Sequence, residues 1–104
     1  MLLAGHETTA LTLSYVWHLL AQHPEVQDRL FSEILAVVGE RSATAADVAN
    51  LQYTEWVVRE SMRLYPPAWA IGREAITPCE VGGYKIPKGK QVWIAQWVVH
   101  RDPR

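Results

Sequence analysis

Residues 2–20 form an apolar stretch whose hydrophobic side chains recur on every side of a helix: Leu2, Leu3, Ala10, Leu11, Leu13, Val16, Trp17, Leu19 and Leu20. A helix that is apolar all round has to be enclosed by other elements, so the chain is expected to fold around this segment. Within it lies Ala4-Gly5-His6-Glu7-Thr8-Thr9, a cluster ill suited to a plain core helix. Gly5 costs about 1 kcal/mol relative to Ala in a helix interior, and Thr8 and Thr9 are β-branched. The Thr8 hydroxyl can bond the carbonyl four residues back, at Ala4, an arrangement that bends helices. With no side chain at Gly5, the expectation is a notch in the helix wall with Glu7 beside it. A carboxyl group in apolar surroundings holds its proton more tightly and becomes a usable donor. The bland alternative is a core helix with a tolerated glycine and a glutamate that reaches solvent. His6-Glu7 also begins the zinc-protease pattern H-E-x-x-H, but Ala10 stands where the second histidine is required.

Composition narrows the classes further. A net charge of −1 gives no electrostatic case for nucleic acid or an anionic membrane. A single cysteine, Cys79, excludes an internal disulfide framework and a thiolate cluster, and it is compatible with a reducing compartment; the expected location is cytoplasmic. His6, Glu7 and His18 interrupt the first helix short of the ~18 consecutive apolar residues of a membrane span. The five tryptophans among 104 residues imply large buried surfaces. An all-round apolar helix needs more neighbours than about 80 following residues readily supply, so residues 1–104 are expected to be a partial domain, incomplete at both ends.

Taken in order, the first helix is predicted to end near Ala21 and Gln22. Pro24 suits the first position of a second helix over 24–38, with Gly39 just past its end and apolar positions at Val26, Leu30, Ile34, Val37 and Val38; its charged face reads as surface scaffold. Thr44 with Asp47 forms a capping-box pattern for a short turn through Ala49. A third helix, 53–64, places Trp56, Val57, Glu60, Arg63 and Leu64 on one stripe. Charges on an inward stripe have to be paired, and at i and i+3 they are neighbours. A buried pair is a poor source of stability, so it reads as fixing geometry or awaiting a third partner; a solvated surface pair is the plain alternative. Pro66-Pro67 ends the helix. Beyond it, 69–74 looks extended, Glu80-Val81 and Tyr84 to Ile86 flank Gly82-Gly83 as a hairpin, and Gln91 to Val99 reads as a buried strand. The fold class is α+β: mainly helices, then short antiparallel strands.

These clusters, in this order, resemble the haem-thiolate monooxygenases of the cytochrome P-450 superfamily. Ala4 to Thr9 is similar to the oxygen-activating signature on the family's long I helix. Glu60-Ser61-Met62-Arg63, continued by Leu64-Tyr65-Pro66-Pro67, resembles the E-x-x-R segment of the K helix, with the J helix between. Gly83 to Gly89 and His100-Arg101-Asp102-Pro103 resemble segments further on.

The resemblance implies an oxidoreductase that activates O2 and inserts one oxygen atom into a hydrophobic small-molecule substrate. Its cofactor would be haem, an iron protoporphyrin, and its electrons would come from NAD(P)H through a redox partner, a ferredoxin or a flavoprotein reductase. Thr8 would hydrogen-bond the oxygen held on the iron and Glu7 would relay protons to it. Ala4 and Gly5 would border the oxygen pocket. Glu60 and Arg63 would form a structural pair, Arg73 would bind a haem propionate through its guanidinium fork, and Ala4 with Ala68, Trp69, Ala70, Ile71 and Gly72 would line the substrate pocket. The axial thiolate drives O–O cleavage in this chemistry, yet the glycine-flanked cysteine loop that carries it is not among these residues. Cys79 lacks that flanking pattern and reads as a structural or surface cysteine, so no residue here is a metal ligand and the stretch alone is expected to be inactive. The rival reading is a stand-alone helical interaction module without haem, in which the notch and the E-x-x-R pair are packing features.

Overall fold

The computed structural model describes residues 2–104, with side chains from Ala4 onward. Helix α1 spans Leu2–Leu20, α2 Pro24–Val37 and α3 Gln52–Leu64, with a 3-10 turn at Ala45–Asn50 between the last two. Strands β1 (Ile71–Glu74), β2 (Cys79–Val81), β3 (Tyr84–Ile86) and β4 (Gln91–Ile94) follow, and a short helix α4 closes the series at Gln96–Val99. The chain divides into two compact units, residues 1–67 and 68–104.

In the first unit the three helices meet around Val16, Leu20 and Val38, the buried apolar side chains. The α1 helix closes with the Ala21 N–H on the Trp17 carbonyl and then tightens, with the Gln22 and His23 N–H groups on the Leu19 and Leu20 carbonyls. Pro24 then opens α2, where its missing N–H is harmless. Gly39, at φ +66°, leaves α2 through the left-handed region and bonds the Leu35 carbonyl. Tyr15 of α1 stacks on Tyr65 at the end of α3 with ring centroids 4.6 Å apart, a contact worth about 0.5–1.5 kcal/mol beyond its area.

The charged face of α2 does more than meet solvent. Glu33 accepts the Tyr53 and Thr54 backbone N–H groups at 2.6 and 2.8 Å and the Thr54 hydroxyl at 2.8 Å, so one helix caps the start of another. Burial works against its ionisation, but those hydrogen bonds outweigh it and hold Glu33 below the ordinary carboxylate value. The Arg29 guanidinium lies 4.3 Å from the centre of the Tyr53 ring. In the loop after α2, Arg41 grips both Asp47 carboxylate oxygens at 2.6 and 2.8 Å, and Asp47 also accepts the Thr44 N–H and hydroxyl.

The expectation that α1 is enclosed on all sides is overturned. Leu11, Leu13 and Trp17 are exposed, because α2 and α3 meet the helix on the Val16 and Leu20 side and no other described element covers the rest. The side chains of Leu2 and Leu3, counted in that apolar pattern, lie outside the described residues.

The second unit contains two antiparallel pairs. β2 and β3 form the hairpin around Gly82-Gly83, with Glu80 opposite Lys85 and both glycines at positive φ. β1 pairs with β4, Ile71 opposite Ile94 and Gly72 opposite Trp93. The buried strand expected from 91 to 99 is corrected: β4 stops at Ile94 and is exposed throughout, and residues 96–99 turn into α4. The ladder stops at the Ile71–Ile94 pair, and beyond it Val98 and Val99 bond back to the Ala95 carbonyl in a helical turn while the Trp97 N–H reaches the Trp69 carbonyl at 3.2 Å.

Arg41 chiefly, with the Thr44 N–H and hydroxyl, holds the Asp47 carboxyl well below the usual carboxylate range against the cost of burial. A carboxylate depressed on folding contributes stability that is fully present above the unfolded-state value near pH 4 and falls away below it, toward the lower folded-state value. Asp47→Asn is therefore expected to lower the thermal midpoint at pH 7, and the gap to the parent protein should close as the melts are taken from pH 4 downward.

Candidate functional site

The residues singled out near the start of the chain occupy the first turns of α1. The Thr8 hydroxyl donates to the Ala4 carbonyl at 2.8 Å, the back-bond expected from the spacing, and it leaves the Thr8 lone pairs free to accept. The pattern repeats, since Thr12 donates to the Thr8 carbonyl and Ser14 to the Ala10 carbonyl, each at 2.8 Å. Thr12 and Ser14 escaped the sequence reading, although their i−4 spacing from Thr8 and Ala10 carries the same signal. A Cβ built on Gly5 meets nothing within 4 Å, so the wall is open there. The depression beside it is lined by Gly5, His6, Thr9, Ala10 and Leu13, which turns it toward His6 and Thr9 rather than toward Glu7.

Glu7 and Thr8 lie three and four residues after Ala4, so each neighbours Ala4 on the helix surface. Glu7, Thr8 and their neighbours from Ala4 to Leu11 are exposed. The apolar enclosure expected around Glu7 is not supplied by the described residues, because α1 packs through its C-terminal half.

On α3 the Glu60 and Arg63 side chains form a forked pair, with Arg63 Nε donating to Oε2 at 2.7 Å and Nη2 to Oε1 at 2.6 Å. The fork from Arg63 lowers the Glu60 pKa, with burial opposing, and raises that of Arg63 in return. The inward stripe is corrected in its phase: side-chain exposure is 44% at Arg63 and 55% at Glu60, while the residue that α3 buries is Ser61, 2% exposed. Trp56, Val57, Glu60 and Leu64 of the expected stripe line, with Ser61, a groove shared with Leu20 of α1, and Arg63 falls outside it. Ser61 Oγ has no hydrogen-bond partner among the described residues. It lies at the wall of an apolar groove of about 340 Å³ bounded by Leu20, Val26, Trp56 and Leu64.

In the second unit Ile71, Gly72 and Arg73 fall on β1, with Ala68, Trp69 and Ala70 leading into it. Arg73 is exposed and spends one guanidinium nitrogen, Nη1, on the Gly72 carbonyl at 2.9 Å; its Nε and Nη2 have no acceptor among the described residues. Such a half-engaged fork matches a carboxylate ligand. Cys79 is exposed on β2. Among the described residues no three metal-binding side chains cluster, and no helix is long and apolar enough to cross a membrane.

A family model described as Cytochrome P450 matches residues 1–104. Cyclooctat-9-en-7-ol 5-monooxygenase of Streptomyces melanosporofaciens is 43% identical over 102 residues, covering 98% of this chain and 22% of that protein. Thromboxane-A synthase of Rattus norvegicus is 44% identical over 106 residues, covering 98% of this chain and 20% of that protein. A zebra fish cytochrome P450 solved with progesterone matches at a TM-score of 0.90 and 33% identity, over 96% of this chain and 24% of the other. The chain spans about a fifth of the length of these curated relatives.

Exposure of the Glu60 and Arg63 pair sets a limit on its strength, since solvent screens such pairs. Glu60→Gln is expected to lower the unfolding free energy by less than about 1 kcal/mol in a denaturant titration; a larger loss would mean that a further segment buries the pair.

Proposed function

The chain belongs to the cytochrome P450 family, and from that premise we propose that it carries the oxygen-handling turn and part of the substrate wall of a haem monooxygenase. Such an enzyme inserts one atom of O2 into an apolar organic substrate. The observation that carries this reading is the turn at Ala4 to Thr8, where a hydroxyl is fixed at 2.8 Å on a helix carbonyl beside a glycine whose side-chain space is open. The same back-bond recurs at Thr12 and Ser14, so what sets the Thr8 turn apart is the open space at Gly5 beside it. The match to the family model over residues 1–104 weighs against a stand-alone interaction module.

The donor set fits haem on the periphery rather than at the iron. The unengaged Nε and Nη2 of Arg73 suit a propionate, and Ala4 with Gly5 leaves room for a flat ligand against α1. The exposed Cys79, with no glycine beside it, is not assigned as the axial thiolate, so these 104 residues alone are inactive in this reading. Haem, when bound, supplies the iron at which O2 is reduced and split.

The chain's own residues then act as follows. The Thr8 hydroxyl, oriented by Ala4, accepts or donates a hydrogen bond at the oxygen pocket, and Gly5 keeps that pocket from being filled. Glu7, open to water, takes protons from solvent and passes them along the α1 face to the Thr8 hydroxyl. Arg73 anchors a carboxylate of the cofactor, and Glu60 with Arg63 braces α3. Ala68 to Gly72 present an apolar edge to substrate. Support for an apolar substrate comes from the names of the relatives, a cyclooctat-9-en-7-ol 5-monooxygenase and a zebra fish cytochrome P450 solved with progesterone. The reducing equivalents for that chemistry would come from NAD(P)H through a ferredoxin or a flavoprotein reductase.

Two measurements on the full-length, haem-loaded protein test this. The ferrous protein is expected to give the carbon-monoxide absorption of a thiolate-ligated haem; the spectrum of a histidine-ligated haem would refute the assignment. Thr8→Ala is expected to leave oxygen consumption within about tenfold of the parent while product per O2 consumed drops by a comparable factor, and unchanged coupling would remove Thr8 from proton delivery.

A further inference from the structure

β1 and β4 form a two-stranded sheet of four residues a side, a size that is marginal without additional support. Its centre is also its weakest point, because Gly72 has no side chain to pack and glycine weakens a strand. The residue opposite Gly72 is Trp93. A Cβ built on Gly72 would meet Trp93 Cη2, Cζ3 and Cζ2 at 3.4, 3.4 and 3.5 Å, so the benzo edge of the indole lies directly over the glycine. This is cross-strand cover of a glycine by an aromatic ring.

We propose that Trp93 is a positioning residue for the substrate-facing segment, with its ring seated in the gap left by Gly72 so that Ile71 and Arg73 are held on the opposite face of β1. The proposal rests on the assignment of Ala68 to Gly72 and Arg73 given above.

Register is what the ring defends. Successive side chains on a strand alternate, so Gly72 and Trp93 share one face while Ile71 and Arg73 share the other. A slip of one residue would exchange those faces and carry the Arg73 fork and the Ile71 side chain to the wrong side. A slip of two would keep the faces but set Trp93 against Ala70 or Glu74, where a Cβ already occupies the space that the ring fills at Gly72. Backbone bonds pin the ends of the ladder: the Ala75 N–H to the Lys90 carbonyl at 3.0 Å, the Gly89 N–H to the Ala75 carbonyl at 2.8 Å, and the Trp97 N–H to the Trp69 carbonyl at 3.2 Å. Between these pins the four-position ladder holds β1 to β4, and at Gly72, which has no side chain of its own, the ring supplies the cross-strand cover. Trp93 itself is 63% exposed, so its place in the fold comes from this contact rather than from a core.

The test uses the full-length, haem-loaded protein with Trp93→Ala and Trp93→Phe. Two quantities are read: amide hydrogen exchange over 69–75, and the dissociation constants of imidazole and phenylimidazole. Imidazole reports access to the iron, and the added phenyl group reports the apolar wall. Trp93→Ala is expected to speed exchange over 69–75 about tenfold and to weaken phenylimidazole about tenfold while imidazole stays close to the parent value. Trp93→Phe, which keeps a ring, is expected to restore most of both. Unchanged exchange in Trp93→Ala would overturn the anchoring role. Faster exchange with an unchanged preference for phenylimidazole would overturn the role in specificity and trace the fault to the assignment of Ala68 to Gly72 as pocket wall. An equal loss for both ligands would leave Trp93 a general structural residue and refute the proposal. Should Trp93→Ala not fold, Trp93→Leu, which keeps apolar bulk without a flat ring, is read by the same criteria.

Discussion

The packing of α3 against the C-terminal half of α1 is the contact on which the first unit depends. It buries Val16 and Leu20 on one side and Ser61 on the other, and it stacks Tyr15 on Tyr65 just where Pro66 stops the helix. Once that contact exists, the direction of the remaining surface of α1 is settled. The helix presents Ala4, Glu7, Thr8 and Leu11 on a face that neither α2 nor α3 reaches. The hydroxyl-bearing turn therefore stays open, and its carbonyls at Ala4, Thr8 and Ala10 are each engaged by a side-chain hydroxyl one turn on.

Charge in this unit is used to join segments more than to strengthen them. Glu33 ties α2 to the exposed N–H groups at the start of α3, and Arg41 closes the loop over Asp47. Each of these carboxylates satisfies backbone donors that would otherwise be left without a partner at a helix start. Glu60 and Arg63 differ, because they form a forked pair on one exposed side of α3, where solvent screens its contribution to stability.

The second unit relies on backbone geometry in the same way. Its short strands offer little burial, so turns at Gly82-Gly83 and Gly89, all at positive φ, and the covering of Gly72 by Trp93 carry the register. That register places Arg73 with one nitrogen committed to its own strand and the rest of its fork outward.

Local signals in the sequence settled the helix limits, since proline at 24 and 66, glycine at 39 and the apolar run from Leu2 to Leu20 act over a few residues. They also settled the Thr8 to Ala4 bond, whose partners lie one turn apart, and the hairpin at Gly82-Gly83. Tertiary structure alone decided which faces are covered. Glu7 and Arg63 are exposed, Ser61 is buried one position away from the expected stripe, and the chain after Ile94 bonds back on itself in a helical turn instead of extending the ladder. Glu33 as a helix cap and Trp93 as cover for Gly72 were illegible for the same reason: each acts on a residue about 20 positions away, and periodicity, which is a property of neighbours along the chain, carries no information about pairs brought together by folding.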